Sequence, residues 1–213
     1  MNRLRITKLF IFLAALIPLG RLAWKALHDG LGANPIEVIT HSTGDWTLIF
    51  ILITLSVTPL RRVTRQYWLI GIRRMVGLFA FFYGTLHFLT YIWLDKFFDL
   101  HEMWKDIAKR PFITIGFSAF VLMIPLALTS TAWSIRRLGG KNWQRLHRLI
   151  YFTGILAVVH YAWLVKSDLS KPIEYGAVLS VLLLYRVGVW ASEKRKGGAM
   201  PVPAQDRVGV TKA

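Results

Sequence analysis

The chain has 213 residues, of which 54% are hydrophobic, and its formal net charge is +16 at pH 7. So apolar a composition excludes an ordinary soluble domain of this length. The chain contains no cysteine, which excludes disulfides, thiolate metal sites, iron–sulfur clusters and covalently attached haem, so any metal centre must use histidine or oxygen ligands.

Six apolar blocks are long enough to cross a membrane, which takes roughly 20 residues per helix within a range of about 17–25. Backbone polar groups in lipid must be satisfied within their own segment, so each block is predicted to be a helix. In chain order the blocks are Ile6–Leu27, Val38–Leu60, Met75–Leu94, Phe112–Trp133, Leu149–Val165 and Ile173–Trp190. The chain is therefore predicted to be an all-α membrane protein, a bundle of about six transmembrane helices.

One membrane domain is predicted over residues 1–192, and residues 193–213 are predicted to form a disordered cytoplasmic tail. The tail carries the breakers Gly197, Gly198, Pro201 and Pro203, which are typical of segments without regular structure.

The positive charge follows the predicted topology. Lysine and arginine concentrate in the two terminal segments and in two alternate loops: Arg3, Arg5, Lys8, Arg61, Arg62, Arg65, Arg73, Arg74, Arg136, Arg137, Lys141, Arg145, Arg148, Lys194, Arg195, Lys196, Arg207 and Lys212. The other loops hold most of the 11 acidic residues: Asp29, Glu37, Asp45, Asp95, Asp99, Glu102, Asp106, Asp168 and Glu174. This positive-inside pattern predicts that both termini face the cytoplasm of a bacterial inner membrane. The expected partner of the charge is the lipid bilayer, and nucleic acid is not expected.

Two features depart from simple apolar spans. The loop Asp95–Arg110 mixes charged residues with Phe97, Phe98 and Trp104, which favours a helix at the membrane interface. Arg21 and Arg186 lie inside apolar blocks near their ends, where the simplest interpretation is snorkelling to the interface. The alternative for each arginine is an anionic partner inside the bundle, such as a haem propionate or a lipid headgroup.

Two histidines lie at matched depth in the predicted bundle. His87 precedes Leu94 by seven residues and His160 precedes Val165 by five, which correspond to about 10 and about 8 Å of helix rise. Both helices run outward, so the two imidazoles are predicted to face each other as axial ligands of a haem. Hydrogen-bonded core histidines or a proton relay are the alternatives.

A small residue accompanies each histidine. Gly84 lies three residues before His87, and Ala157 lies three residues before His160, so each shares a helix face with its histidine. They would leave flat space for a porphyrin, but close helix packing explains such residues equally well and is the favoured interpretation for the glycine.

A second level is predicted near the cytoplasmic face. Thirteen residues before His87 lies Arg74, and thirteen before His160 lies His147, a separation of about 20 Å along each helix. Thirteen residues of straight helix leave two side chains about 140° apart. His147 would therefore share a face with His160 only if the helix bends near Gly154, or if His147 lies outside the helix.

The roles at this second level stay open. Arg74 would bind haem propionates or act as an unusual ligand, and the positive-inside rule alone also accounts for it. The histidines at positions 28, 41 and 101 lie in loops or at helix ends, where ordinary surface histidines are common.

Several motifs together resemble the MsrQ (formerly YedZ) family of the ferric-reductase-like transmembrane superfamily. The resemblance covers the chain from about Leu19 to Arg186 and rests on the stretches Gly30–Pro35, Arg73–Leu78, Thr85–Tyr91, Thr129–Thr131, Trp143–His147 and His160–Trp163. It implies that residues 1–192 form a ferric-reductase-like haem domain. The family's histidines correspond to His87, His147 and His160, whereas the superfamily's usual fourth histidine is Arg74 here.

The resemblance further implies a cytochrome that binds haem b, one or two per chain, and FMN, for which no residue pattern marks a site. Such proteins take electrons from quinone or from a cytosolic flavin reductase. They deliver them to MsrP, a periplasmic molybdopterin enzyme that reduces methionine sulfoxide in oxidised proteins. The predicted function is thus a transmembrane electron conduit whose partner performs the substrate chemistry.

Two alternatives remain at this stage. The first is a stand-alone ferric or quinone reductase cytochrome of the same superfamily. The second is a cofactor-free transporter or assembly factor whose intramembrane histidines relay protons. A Soret absorption band in the purified protein separates the cytochromes from the transporter.

Overall fold

The computed structural model describes residues 3–165 and 168–198, and every regular element in those two ranges is a helix. The helices are α1 Arg3–Leu27, α2 Pro35–Thr64, α3 Leu69–Leu89 with a π-helical continuation Thr90–Asp95, α4 Leu100–Lys109, α5 Pro111–Leu128, α6 Ala132–Leu138, α7 Gly140–Leu146, α8 Leu149–Val165 and α9 Ser170–Gly198. Within the described ranges six helical spans are long and apolar enough to cross a membrane. The predicted all-α bundle is confirmed, and the orientation of the termini stays a prediction.

The second span begins earlier than its apolar residues indicate. Asn34 caps α2, because its side-chain oxygen accepts a hydrogen bond from the backbone N–H of Glu37 and its amide nitrogen donates to the Glu37 carboxylate at 2.8 Å. Pro35 occupies the first helical position, where the missing N–H costs nothing. The cap therefore places the start of α2 at Pro35, ahead of the predicted Val38.

The fourth predicted block, Phe112–Trp133, is two helices. Helix α5 ends at Leu128, and the Thr131 hydroxyl oxygen accepts a hydrogen bond from the backbone N–H of Ser134 at 3.0 Å, which starts α6. Threonine and serine offer the backbone such local alternatives to continued helix. Gly139 then separates α6 from α7 with a φ of +73°, a conformation that glycine adopts readily.

The core lies where α2 and α3 pack side by side against α5 and α8. Ile51, Leu55, Ala80 and Tyr83 are almost completely buried there. The Tyr83 hydroxyl donates a hydrogen bond to the backbone carbonyl of Ala15 at 2.8 Å, which fixes α1 against the bundle. The four central helices thus form the frame that holds the histidines.

The last helix extends past the predicted domain boundary at residue 192. Helix α9 continues to Gly198. Arg62, at the end of α2, forms an ion pair with Glu193 on α9 at 3.0 Å. The Lys194 ammonium lies 5.5 Å from the centre of the Trp190 ring. Residues 193–198 are therefore helical, and the contacts of Glu193 and Lys194 stabilise the start of this extension. The rest of the predicted tail, 199–213, lies outside the described residues.

The two ends of the bundle differ in charge. The acidic end, where acidic and basic residues are about equal in number, comprises the connections 28–34 and 96–110 with the start of α9. The basic end, where basic residues dominate, comprises the connection 65–68 with α6, α7 and the end of α9. At the acidic end the expected interfacial helix is α4, which is capped by Asp99. Trp104 on this helix is exposed, as suits a segment at a membrane surface.

A buried carboxylate ties α4 to the end of the third span. The Asp106 carboxylate forms ion pairs with Lys96 at 2.6 Å and with Arg110 at 3.3 Å, and it accepts a hydrogen bond from the Tyr91 hydroxyl at 3.4 Å. Burial raises the pKa of the Asp106 carboxyl, but the hydrogen bond and charge of Lys96 together with the charge of Arg110 lower it below its ordinary 3.8. The Asp106 hydrogen bond also raises the pKa of Lys96.

Asp106→Asn is expected to destabilise the protein by about 3 kcal/mol, because it leaves Lys96 without its buried counter-charge. A carboxyl whose pKa is lowered on folding contributes its full stability above pH 3.8, and this is lost as the pH falls through the lower pKa of the folded state. Thermal unfolding in detergent between pH 3 and 7 measures both effects. The difference in unfolding temperature between the wild type and the variant should therefore narrow as the pH falls below 3.8.

Candidate metal centre

His87 and His160 meet inside the four-helix frame. His87 projects from α3 and His160 from α8, and the centres of their rings lie 6.2 Å apart with the ring planes at 77°. Both side chains are partly buried. The structure therefore brings together the two histidines whose matched depth was predicted by counting along the helices.

Each histidine is oriented by a backbone carbonyl. The Nδ1–H of His87 donates to the carbonyl oxygen of Thr40 at 3.0 Å, and the Nδ1–H of His160 donates to that of Phe112 at 2.7 Å. A carbonyl only accepts, so Nδ1 carries the proton of each neutral ring and Nε2 keeps its lone pair. Metal-binding histidines are commonly held in this tautomer by such a bond.

Two glycines that the sequence interpretation did not single out make room for the rings. A Cβ at Gly116 would lie 2.7 Å from Cε1 and Nδ1 of His160, and a Cβ at Gly44 would lie 3.1 Å from Cε1 of His87. Each glycine lies four residues, one helical turn, after the carbonyl that orients the same histidine. The sequence carries no signal for these glycines, because the groups that orient the histidines are backbone carbonyls, which every residue has.

The small residues near the histidines serve helix packing. A Cβ at Gly84 would meet Thr47 at 3.4 Å, Phe120 at 3.7 Å and Met123 at 3.8 Å. Ala157 packs against the hydrophobic core. Gly84 is thus explained by the close approach of α3 to α2 and α5, the interpretation favoured for it above.

The second predicted level is built differently. His147 lies in the turn between α7 and α8, so the break in the helix frees its orientation, as the second alternative above required. Its ring stacks on Trp143 at 3.9 Å. The Thr129 hydroxyl donates a hydrogen bond to the Pro125 carbonyl at 2.6 Å. Its oxygen therefore accepts a hydrogen bond from Nε2–H of His147 at 3.1 Å. Nε2 keeps its lone pair free for a metal in His87 and His160, whereas in His147 it is engaged in this hydrogen bond.

Arg74 and its neighbour Arg73 point in different directions. The Arg74 side chain is exposed. The Arg73 guanidinium is partly buried and lies within electrostatic reach of His147. The structure therefore brings Arg73 and not Arg74 towards the second-level histidine.

The other histidines have local partners. His28 stacks on Trp24 with ring centres 3.9 Å apart, and His41 lies 3.9 Å from the Glu37 carboxylate. His101 is exposed on α4. Of these three, His41 lies within electrostatic reach of His87.

Comparison with known proteins places this arrangement in a family. Residues 42–159, from α2 into α8, match the family described as ferric reductase like transmembrane component. The chain is 56% identical over 210 residues to the protein-methionine-sulfoxide reductase heme-binding subunit MsrQ of Herminiimonas arsenicoxydans, which covers 97% of this chain and 96% of that protein. The chain belongs to the MsrQ family. The MsrQ of Bordetella pertussis is 52% identical over 194 residues, and that of Azospira oryzae is 49% identical over 217.

Membership of the MsrQ family confirms the resemblance drawn from the motifs. The alignments cover 90% of this chain and 93% of the Bordetella protein, and 98% of this chain and 93% of the Azospira protein, so the similarity extends over whole proteins. With six candidate spans and a matching transmembrane family, the chain is a multi-pass membrane protein. The relatives are named as haem-binding subunits of a methionine sulfoxide reductase.

Proposed function

We propose that this MsrQ-family chain is a transmembrane cytochrome that binds haem b between His87 and His160 and passes electrons to a methionine sulfoxide reductase. The observation that carries the proposal is the pair of imidazoles, 6.2 Å apart, each with Nδ1–H bound to a backbone carbonyl. The haem-binding relatives and the ferric-reductase-like match support it.

The residues present fit a haem. Two metal–nitrogen bonds of about 2 Å, together with the two ring radii, separate imidazole centres by about 6 Å, close to the spacing observed. Among residues 3–165 and 168–198, no three His, Asp or Glu side chains converge as a metal site, and a haem needs only axial ligands from the protein. When bound, a haem would supply one-electron transfer, and His87 and His160 are the residues that would hold it. The chain's own residues hold and orient the two imidazoles.

The charge pattern supports an orientation of the chain in the membrane, and the family resemblance supports the direction of transfer. We place the basic end in the cytoplasm of a bacterial inner membrane, as the positive-inside rule requires. Electrons would then enter there from quinone or from a cytosolic flavin reductase, with FMN as a further cofactor by family resemblance. They would leave at the acidic end to the periplasmic molybdopterin enzyme MsrP, which reduces methionine sulfoxide in damaged proteins.

Reoxidation of the cytochrome tests this proposal. The purified full chain is reduced anaerobically, and its Soret and α bands are followed after addition of MsrP with and without a methionine sulfoxide substrate. Rapid reoxidation that needs both MsrP and substrate is expected. A chain without a Soret band would support the transporter, and a haem that reduces ferric iron or quinone but not MsrP would support the stand-alone reductase.

His147 and Arg74 stay the candidate residues for a second cofactor level at the basic end. The hydrogen bond between Nε2 of His147 and Thr129 and the exposure of Arg74 favour a single haem per chain. His147→Ala and Arg74→Gln are therefore expected to keep the haem content and the low-spin spectrum of the wild type. A reductive haem titration measures both, and a fall from two haems to one in either variant would show that a second haem exists.

A further inference from the structure

Arg186 lies inside the basic end of the bundle, where two of its three guanidinium nitrogens form hydrogen bonds. Its Nη1 donates to the Tyr151 hydroxyl at 2.9 Å, and its Nη2 donates to the backbone carbonyl of Leu55 at 2.8 Å. The Tyr151 ring also lies under the guanidinium, 5.0 Å from its centre. The buried Nε has no hydrogen-bond partner in the described part of the chain. Arg186 is thus fixed in place and does not snorkel freely.

A second cation lies within electrostatic reach of Arg186. The charge of Arg73 on α3 interacts with the charges of Arg186 and Arg61. Within residues 3–165 and 168–198, neither Arg73 nor Arg186 forms an ion pair, and Arg73 makes no hydrogen bond. Like charges at membrane depth are costly unless a counter-charge offsets them. The arrangement therefore needs an anion that these residues do not supply.

The acid that lines the cavity beside Arg186 is already engaged. A cavity of about 170 Å³ opens beside Arg186 and is lined by Thr58, Arg62, Tyr151, Tyr185 and Glu193 among others. The Glu193 carboxylate accepts from Arg62 at 3.0 Å and so compensates that arginine. The cavity is several times the volume of about 30 Å³ that one water takes up in the liquid, which leaves room for a tetrahedral oxyanion.

We infer that the basic end contains a phosphate-binding site in which Arg186 contacts the phosphate group, Tyr151 positions Arg186, and the positive charge of Arg73 strengthens binding. Guanidinium groups match phosphate oxygens in geometry and stay charged at depth. Inorganic phosphate or a phosphate monoester carries about 1.5 to 2 negative charges at pH 7 and a lipid phosphodiester carries about one. Either group offers more oxygen acceptors to the arginines than one carboxylate would. The site does not depend on the proposed haem function.

The phosphate has two possible sources, a lipid headgroup of the adjoining leaflet or a soluble phosphate. Thermal unfolding of the full chain in detergent separates them, because a ligand that binds only the folded state raises Tm in a saturable way. One arm adds phosphatidylglycerol to the micelles, with phosphate-free diacylglycerol as the reference. The other arm adds inorganic phosphate, with chloride at equal ionic strength as the reference.

Wild-type Tm is expected to rise saturably in one arm, and the responding arm identifies the source. Arg186→Gln should weaken the response about tenfold, the effect of removing one charge-assisted hydrogen bond. Arg73→Gln should weaken it about threefold, because it removes a nearby positive charge. Arg136→Gln, which makes the same charge change at an exposed site of the basic end, should respond like the wild type.

Arg186→Gln also removes the bond to the Leu55 carbonyl and risks misfolding, so Arg73→Gln is the decisive variant. Two results would overturn the site: no saturable response of the wild type in either arm, or an equal response of wild type and Arg73→Gln. The haem spectrum of each variant, recorded in the same samples, shows whether the paired histidines are intact. A failure of the phosphate site is thereby distinguished from a failure of the proposed cytochrome.

Discussion

His87→Ala and His160→Ala are each expected to abolish the low-spin haem of this protein. One imidazole cannot fill both axial positions, and the two rings lie too close together, 6.2 Å between centres, for another described side chain to replace either of them without repacking. The ratio of Soret absorbance to protein, with the reduced spectrum, measures the loss. Both variants should retain less than about a tenth of the wild-type haem, which corresponds to a loss of more than 1.4 kcal/mol of binding free energy.

His101→Ala is the matched control, because it removes an imidazole that is exposed on α4. It should keep the wild-type spectrum and haem content. A full, spectrally unchanged haem in either His87→Ala or His160→Ala would show that the pair does not hold the iron. Unfolding temperatures of all three variants separate lost ligation from lost folding.

The depth of the two histidines in the bundle was predictable from the sequence, whereas the backbone carbonyls that orient their rings were not. Helix rise per residue is constant, so counting from Leu94 and Val165 places His87 and His160 at one level. The bonds to Thr40 and Phe112 join residues 47 and 48 positions apart. No local pattern specifies which neighbouring helix supplies such a carbonyl, so only the packed bundle reveals it.

The second level shows what counting leaves out. Thirteen residues of helix α3 separate Arg74 from His87 and rotate the two side chains about 140° apart, whereas fourteen residues leave Arg73 only about 40° from His87. Depth alone therefore selects Arg74, but rotation selects Arg73, which is the arginine that lies near His147. On the other side the turn at His147 and Arg148 breaks the helix, so the rotation between His147 and His160 is not that of a straight helix.

The two halves of the site repeat one local arrangement. In each half a histidine donates to a carbonyl one turn before a glycine: Thr40 and Gly44 for His87, Phe112 and Gly116 for His160. The helix pairs α2–α3 and α5–α8 therefore play equivalent roles, although their sequences share little beyond these positions. A repeat carried by so few residues escapes a search for sequence similarity and becomes visible only as geometry.

Gly116→Ala is expected to lower the haem content strongly by displacing His160. The added Cβ would lie 2.7 Å from two atoms of the imidazole ring, so the ring must move and lose its bond to Phe112. Overpacking of this kind typically costs about 1–3 kcal/mol, enough to reduce haem occupancy roughly tenfold or more at limiting haem. Gly44→Ala, with a gap of 3.1 Å to His87, should have a smaller effect of the same kind. Haem titration and the reduced spectrum of each variant measure the order.

Gly188→Ala adds the same methyl group to a membrane helix where nothing lies within 4 Å, so haem content should equal that of the wild type. The expected loss of haem is therefore largest for Gly116→Ala, smaller for Gly44→Ala and absent for Gly188→Ala. This order follows from the three distances alone and does not depend on general helix stability. Unaltered haem in Gly116→Ala would mean that the His160 ring is free to shift while ligated. The carbonyl bond would then not be what fixes the ligand, and the proposed role of Phe112 would be lost with it.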